Sequence, residues 1–287
     1  MSWQAGLVHG LIRTATKVGP SVDKQRAKLE RRGPTGGSAP KKLEGVTIST
    51  SEQHGMTVVR LTPTGSTPSR SVFYTHGGSY CFEAASLHWS FLRKVAVEAN
   101  VVIDAPLYPL APDDTAATTV PATATVLGDL GSDVVMGDSA GGGLALAVAQ
   151  RVRDAGTLRA QRLVLLAPWL DVRTADPRQR AMEGRDVMLK VDVLQLAGRY
   201  YAGDLSGDDP LVAPVLGDLR GLPPISVFVG SEDLLVVDSQ ELEKRCADVG
   251  QPVEVVTAPG MQHVYPILPL LPEARAARAQ IVALLKD

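Results

Sequence analysis

A chain of 287 residues, 45% hydrophobic and 21% charged, can bury a substantial core, and one large decorated α/β domain is expected in preference to two small ones. A formal charge of -2 leaves no cation excess to neutralise phosphates, which argues against a general nucleic-acid binder and favours an uncharged or weakly anionic ligand. Cys81 and Cys246 lie far apart without metal-finger or C-x-x-C spacing, and neither a signal-peptide core nor eighteen uninterrupted apolar residues occur, so free thiols in a soluble, cytoplasmic protein are expected.

Residues 1–45 carry nine Lys and Arg against three acidic residues. Helical spacing at Leu7, Leu11 and Ile12, followed by a charged stretch over 23–32, predicts one or two short helices before the breaker run Gly33-Pro34-Thr35-Gly36-Gly37. We read the segment as a cover over a site in preference to a solvated arm. Membrane docking is the least favoured reading, because the apolar stripe is short. Residues 46–50 and 56–61 then read as strands joined around Gly55, an antiparallel opening.

The next strand, 71–75, ends in His76-Gly77-Gly78-Ser79-Tyr80. Glycines directly after a strand let backbone N–H groups turn toward a ligand, which makes Gly77 and Gly78 candidate oxyanion donors; a plain glycine turn is the bland alternative. Residues 87–99 place Leu87, Phe91, Leu92, Val95 and Ala99 on one helical face, with His88 expected at the surface. Val101-Val102-Ile103 is apolar without alternation, as in a parallel strand covered on both sides, and the proline-rich turn after it, 107–112, reads as architectural.

A helix near 120–130 leads to Val134-Val135-Met136-Gly137-Asp138-Ser139-Ala140-Gly141, where a strand stops at a G-x-S-x-G bend that opens a helix. Such a bend lifts the Ser139 hydroxyl clear of the strand as a candidate nucleophile. It also sets the Ala140 N–H at the positive end of a helix, a further oxyanion donor. After the buried strand 163–167, Trp169 and Asp171 are placed either along a pocket or in simple packing. Residues 172–209 lose the buried-strand pattern, and an insertion at the carboxyl edge of a parallel sheet is positioned as a lid or substrate wall.

Strand 225–229 ends at Gly230-Ser231-Glu232-Asp233, and strand 253–257 is followed by Pro259-Gly260-Met261-Gln262-His263. A base histidine needs a carboxylate to fix its tautomer, and Glu232, Asp233 and Asp238 compete for that place. Asp238 with Glu241 fits a capping box for a helix over 239–249, which leaves Asp233 as the acid and His263 as the base. The order Ser139, Asp233, His263, each just beyond a strand, is that of an α/β-hydrolase triad.

These motifs resemble the hormone-sensitive-lipase-like family of α/β-hydrolases, in its bacterial esterase branch, from about Val72 to the C-terminus. H-G-G-S-Y at 76–80, G-D-S-A-G-G at 137–142, S-E-D at 231–233 and G-M-Q-H-V at 260–264 carry the resemblance. Lesser matches are Y-P-L-A-P at 108–112, D-P-L-V-A-P at 209–214 and G-L-P-P at 221–224. The resemblance implies an α/β-hydrolase fold: a mostly parallel eight-stranded sheet with helices on both faces and a helical cap. It implies a core over 46–171 and 211–287, with cap segments at 1–45 and 172–210. It further implies a serine carboxylesterase acting on a small-molecule ester through Ser139, Asp233 and His263, with Gly77, Gly78 and Ala140 as the oxyanion hole, a structural part for His76, and neither cofactor nor metal. A lactone hydrolase or natural-product deacetylase would use the same residues, and a non-catalytic receptor on this fold would drop the base. The chain departs from the family at Ser79, which stands where a third glycine is common, and after Asp233, where D-P-L-x-D is replaced by Asp233-Leu234-Leu235-Val236-Val237-Asp238. An exposed last strand could pair two copies into a homodimer, although nothing in the sequence requires it.

Overall fold

The computed structural model describes Ser2, Gly6, residues 21–32 and residues 39–286; the helical spacing at Leu7, Leu11 and Ile12 and the breaker run at 33–37 lie outside them. Eight strands form one sheet: β1 (Val46–Gln53), β2 (Met56–Pro63), β3 (Arg70–Thr75), β4 (Val101–Pro106), β5 (Val134–Asp138), β6 (Arg162–Leu166), β7 (Ile225–Gly230) and β8 (Val253–Ala258). Their spatial order is β1-β2-β4-β3-β5-β6-β7-β8. β2 runs antiparallel to β1 and β4, and the remaining neighbours are parallel, so the mostly parallel sheet with an antiparallel opening forms as expected. The β1–β2 hairpin closes over two residues, His54 and Gly55, both at positive φ, the geometry that matches strand twist in a two-residue turn.

Strand side chains alternate between two apolar layers. Val72 and Tyr74 of β3, Val134 and Met136 of β5, and Val164 and Leu166 of β6 enter one layer; Phe73, Val135, Leu163 and Leu165 enter the other. Helices α2 (Ser86–Ala99) and α8 (Pro272–Lys286) cover the first layer through Phe91, Leu92, Val95, Ile281 and Leu285. The second is covered by α3 (Ala116–Leu130), α4 (Ala140–Asp154) and α7 (Val236–Val249) through Val120, Leu144, Val148 and Leu242. Burial on both faces explains the continuous apolar runs of the central strands, and each such aliphatic side chain contributes about 1.5–3 kcal/mol. Helix α4 is buried over nearly its whole length, which is why its sequence lacks a polar stripe.

Between β6 and β7 the chain leaves the sheet and forms α5 (Pro177–Met182) and α6 (Val191–Ala202). The N-terminal helix α1 (Val22–Glu30) packs against α6. Among the described residues, no helix is long and apolar enough to cross a membrane.

One expectation about α7 is corrected. The helix starts at Val236 and its N-cap is Leu235, so Asp238 sits inside the first turn and is not the cap. Its carboxylate is buried and turned inward, accepting from the N–H groups of Leu170 and Asp171 at 2.8 and 3.3 Å and from Gln179 Nε2 at 2.7 Å. Long-range donors claimed the side chain that local spacing had assigned to the helix end.

Candidate active site

Ser139 sits between β5 and α4 with φ 52° and ψ −123°, a backbone conformation that L residues rarely adopt and that surrounding structure must enforce. Its N–H donates to Leu166 O at 2.9 Å, and its carbonyl accepts from Gly142, Gly143 and Trp169. The flanking glycines are demanded by space. A Cβ on Gly137 would collide with Gly141 O, and one on Gly141 would collide with the carbonyls of Thr75 and His76. The bend and the end of β3 are thus in backbone contact, and Thr75 Oγ1 fixes them by donating to Gly141 O at 2.6 Å.

His263 reaches this bend from the loop after β8. Its Nε2 lies 2.9 Å from Ser139 Oγ, and its Nδ1 lies 2.8 Å from Asp233 Oδ2. A carboxylate only accepts, so Nδ1 carries the proton and Nε2 is free to accept from the serine hydroxyl. Asp233 Oδ1 is held by the Leu235 N–H at 2.9 Å. Burial alone would depress the His263 pKa, but the charge and hydrogen bond of Asp233, with Asp186 and Asp138 behind, outweigh it and leave the imidazole above its ordinary value. Of the three competing carboxylates only Asp233 meets the imidazole. Glu232 pairs with Arg185 at 2.6 and 2.7 Å, and Asp238 is engaged by its own donors.

The glycine loop departs from expectation at one position. The Gly77 N–H donates to Asp138 Oδ1 at 2.8 Å and points at a buried carboxylate, so it is not available to a ligand. The N–H groups of Gly78 and Ala140 have no acceptor among the described residues, and neither has that of Ser79, which the sequence reading passed over. Ser79 lies at φ 54°, so the position where the family often carries glycine keeps a glycine-like backbone.

Asp138 is the residue of this region that spacing alone did not reveal. It is buried and accepts from the Tyr74 hydroxyl as well as from Gly77, and His88 Nε2 approaches its Oδ2 at 3.3 Å. Burial works against the carboxylate, but His88, Tyr74 and Gly77 outweigh it and hold its pKa below the ordinary value. His88 is accordingly not a surface residue: its side chain is 14% exposed, and its Nδ1 accepts from the Ala85 N–H at 2.8 Å, which leaves the proton on Nε2 toward Asp138. His76, whose ring lies 6.1 Å from that of His88, makes no hydrogen bond to His88 or Asp138. Its Nδ1 donates to Gly77 O at 2.8 Å, its ring stacks on Tyr108 at 4.4 Å, and burial lowers its pKa to about 4. Tyr108, from the proline-rich turn, donates to His76 O at 2.6 Å and anchors the loop.

Trp169 is packed rather than exposed, with Nε1 donating to Thr174 Oγ1 at 3.0 Å and its ring 5.5 Å from that of Tyr80, while Asp171 pairs with Arg173. Tyr80 in turn stacks on Tyr201 of α6 at 3.6 Å, joining the glycine loop to the inserted segment. Both cysteines are free and buried, and burial pushes the thiols of Cys81 and Cys246 up to about 12 and about 11. Among the described residues, no group of three or more His, Cys, Asp or Glu side chains is placed to hold a metal ion.

A family model described as alpha/beta hydrolase fold matches residues 72–267. The chain is 35% identical over 217 residues to an acetyl-hydrolase of Streptomyces hygroscopicus, covering 72% of this chain and 72% of the relative. It is 34% identical over 233 residues to a triacylglycerol lipase of Mycobacterium tuberculosis, covering 79% of this chain but only 48% of that protein, so it spans about half that relative's length. Among solved structures, an esterase from the bacterial hormone-sensitive lipase family superposes with a TM-score of 0.85 at 25% identity, covering 100% of this chain and 98% of the other.

Proposed function

This chain belongs to the hormone-sensitive-lipase-like family of α/β-hydrolases, and from that membership we propose that it is a serine carboxylesterase that cleaves short- to medium-chain esters through an acyl-enzyme intermediate. The observation that carries the reading is the unbroken hydrogen-bond chain from Ser139 Oγ through His263 to Asp233. Ser139 Oγ attacks the ester carbonyl while His263 Nε2 takes its proton. Asp233 holds Nδ1–H and stabilises the imidazolium. The tetrahedral oxyanion faces the N–H groups of Ala140 and Gly78, with Ser79 in place of Gly77 as the further donor. The imidazolium then protonates the leaving alcohol, and water attacks the acyl group by the same route.

We assign residues 21–32 and 172–210 to a two-part cap, a reading supported by the packing of α1 on α6 and the Tyr80–Tyr201 stack. A receptor on this fold would have no use for an engaged base, and the His263–Ser139 hydrogen bond favours the enzyme. The names of the two relatives suggest acyl groups ranging from acetate upward. Hydrolysis of p-nitrophenyl esters from acetate to decanoate, by the native chain and by Ser139→Ala, tests the proposal. Turnover and fluorophosphonate labelling are expected to vanish in the variant and to peak at short or medium acyl length in the native protein. Near-native turnover by Ser139→Ala would refute the nucleophile.

A further inference from the structure

The segment between β6 and β7 does more than carry α5 and α6. Residues 185–189 touch both loops that deliver the acid and the base. Asp186, only 2% exposed, accepts at Oδ1 from the N–H groups of Met188 and Leu189 at 2.7 and 2.8 Å. Its Oδ2 accepts from the N–H of Leu234 at 3.0 Å, the residue directly after Asp233. One residue further along, the Val187 N–H donates to Gln262 Oε1 at 2.9 Å, and Gln262 Nε2 returns a hydrogen bond to Arg185 O at 3.1 Å. Gln262 is the residue directly before His263. A five-residue stretch therefore grips the chain next to each of the two side chains that must meet at 2.8 Å.

Resting on the reading of Ser139, His263 and Asp233 as a triad, we propose that Asp186 is a positioning residue for this reaction, which fixes the acid loop through Leu234 and places a second negative charge behind His263. The groups around it are few. From the acid loop Asp233 faces it, while Glu232 is neutralised by Arg185. From the base loop His263 faces it, and Asp138 acts on the same imidazole from the serine bend. Within its own segment, Glu183 accepts from the Val191 N–H, and Lys190 donates to the Glu183 carbonyl. Burial and the Asp233 charge push the Asp186 carboxyl up to about 6, against the pull of His263 and of its N–H donors. Its negative charge is therefore complete only above that pH, where it raises the affinity of His263 for a proton.

The test compares full-length Asp186→Asn and Asp186→Glu with the native chain, reading kcat, the pH profile of kcat/KM on p-nitrophenyl butyrate, and Tm, with Ser139→Ala alongside. Asparagine removes the charge and turns an amide N–H₂ toward a backbone N–H. Its kcat is expected to fall about tenfold, and its acid limb to move to lower pH by on the order of half a unit or more. Glutamate keeps the charge and disturbs the grip, so its limb stays near the native position while kcat falls. Coincident limbs for the native and Asp186→Asn proteins would overturn the proposal. If Asp186→Asn does not fold, the glutamate variant decides alone, and a displaced limb there is the overturning result. An active Ser139→Ala protein would sink the triad reading; an inactive one beside an unmoved Asp186→Asn profile sinks only the role of Asp186.

Discussion

The Gly77 N–H donates to Asp138 Oδ1 over 2.8 Å, tying the first glycine of the loop after β3 to the residue immediately before Ser139. Through this bond the loop bearing the proposed oxyanion donors and the bend bearing the proposed nucleophile are set against each other. Asp138→Asn keeps the shape but must point an amide N–H₂ at the Tyr74 hydroxyl, at Gly77 or at His88, each of which now donates to the carboxylate. A buried donor left without an acceptor costs about 1–3 kcal/mol. The expected outcome is a kcat lowered about ten- to a hundredfold with KM little changed, and a depressed Tm, measured by steady-state kinetics and thermal unfolding.

In the proposed mechanism the protonation state of His263 sets the pH dependence. The reaction needs a neutral Nε2, and the imidazole's pKa is raised by Asp233, Asp186 and Asp138. Activity is expected to be lost as pH falls through a midpoint above the ordinary histidine value of about 6.5. Stability runs the other way. A raised folded pKa contributes stability that is fully present below the unfolded value and is lost as pH rises through the folded one. The kcat/KM profile of the native chain locates the limb, and a midpoint below the ordinary histidine value would contradict the geometry's account of the base.

Much of this arrangement was legible in the sequence because each feature had a local cause. The central strands announced themselves through apolar runs. The serine bend followed from glycines whose missing Cβ atoms leave room for the Thr75 and His76 carbonyls. Asp233 and His263 were found by their places after β7 and β8. What stayed hidden depended on partners far along the chain. Asp238 looked like a helix cap until Leu170 and Gln179, 68 and 59 residues away, claimed its oxygens. The Gly77 N–H looked available until Asp138, 61 residues on, accepted it. His88 was expected at the surface although Phe91, Leu92 and Val95, three, four and seven residues on, share its helix face, and the helix start tucks the ring against Asp138. Periodicity does not report which buried polar group finds which donor.

The two aspartates of the acid loop and the helix that follows it give a sharp contrast. Asp233→Asn removes the acceptor that holds His263 Nδ1–H, so the wrong tautomer is favoured and kcat is expected to fall by on the order of 10⁴. Asp238→Asn disturbs donors from Leu170, Asp171 and Gln179, none of which touches His263. Its effect is expected in stability, about 1–3 kcal/mol, with kcat within a few fold of native. Paired kinetics and urea unfolding measure both. Crippled turnover in Asp238→Asn with an active Asp233→Asn would reverse the assignment.

Arg32 offers a handle on the N-terminal part of the proposed cap. Its Nη1 donates to Cys81 O at 2.6 Å and to Ala111 O at 2.7 Å, and its Nη2 pairs with Asp113 at 2.5 Å. Cys81 closes the turn that begins at Gly78, since its N–H donates to Gly78 O at 3.0 Å. One planar guanidinium therefore links the end of α1 to the glycine loop and to the turn after β4. A lysine cannot reproduce that link, because a single ammonium group lacks the fork that serves two carbonyls and a carboxylate together. Lys28 helps from the preceding turn, with Nζ 3.9 Å from the centre of the Phe82 ring. This cation–π contact is too weak to hold the helix alone, at about 0.5–1 kcal/mol where exposed. In Arg32→Lys, amide hydrogen exchange over 22–30 is expected to speed up at least tenfold while exchange in β5 stays unchanged. The ester series is expected to shift in KM more than in kcat, because the proposed cap would shape the substrate wall while the substitution leaves the proposed triad untouched. Unaltered exchange over 22–30 would show that α1 is held by its packing on α6, with the guanidinium contributing little.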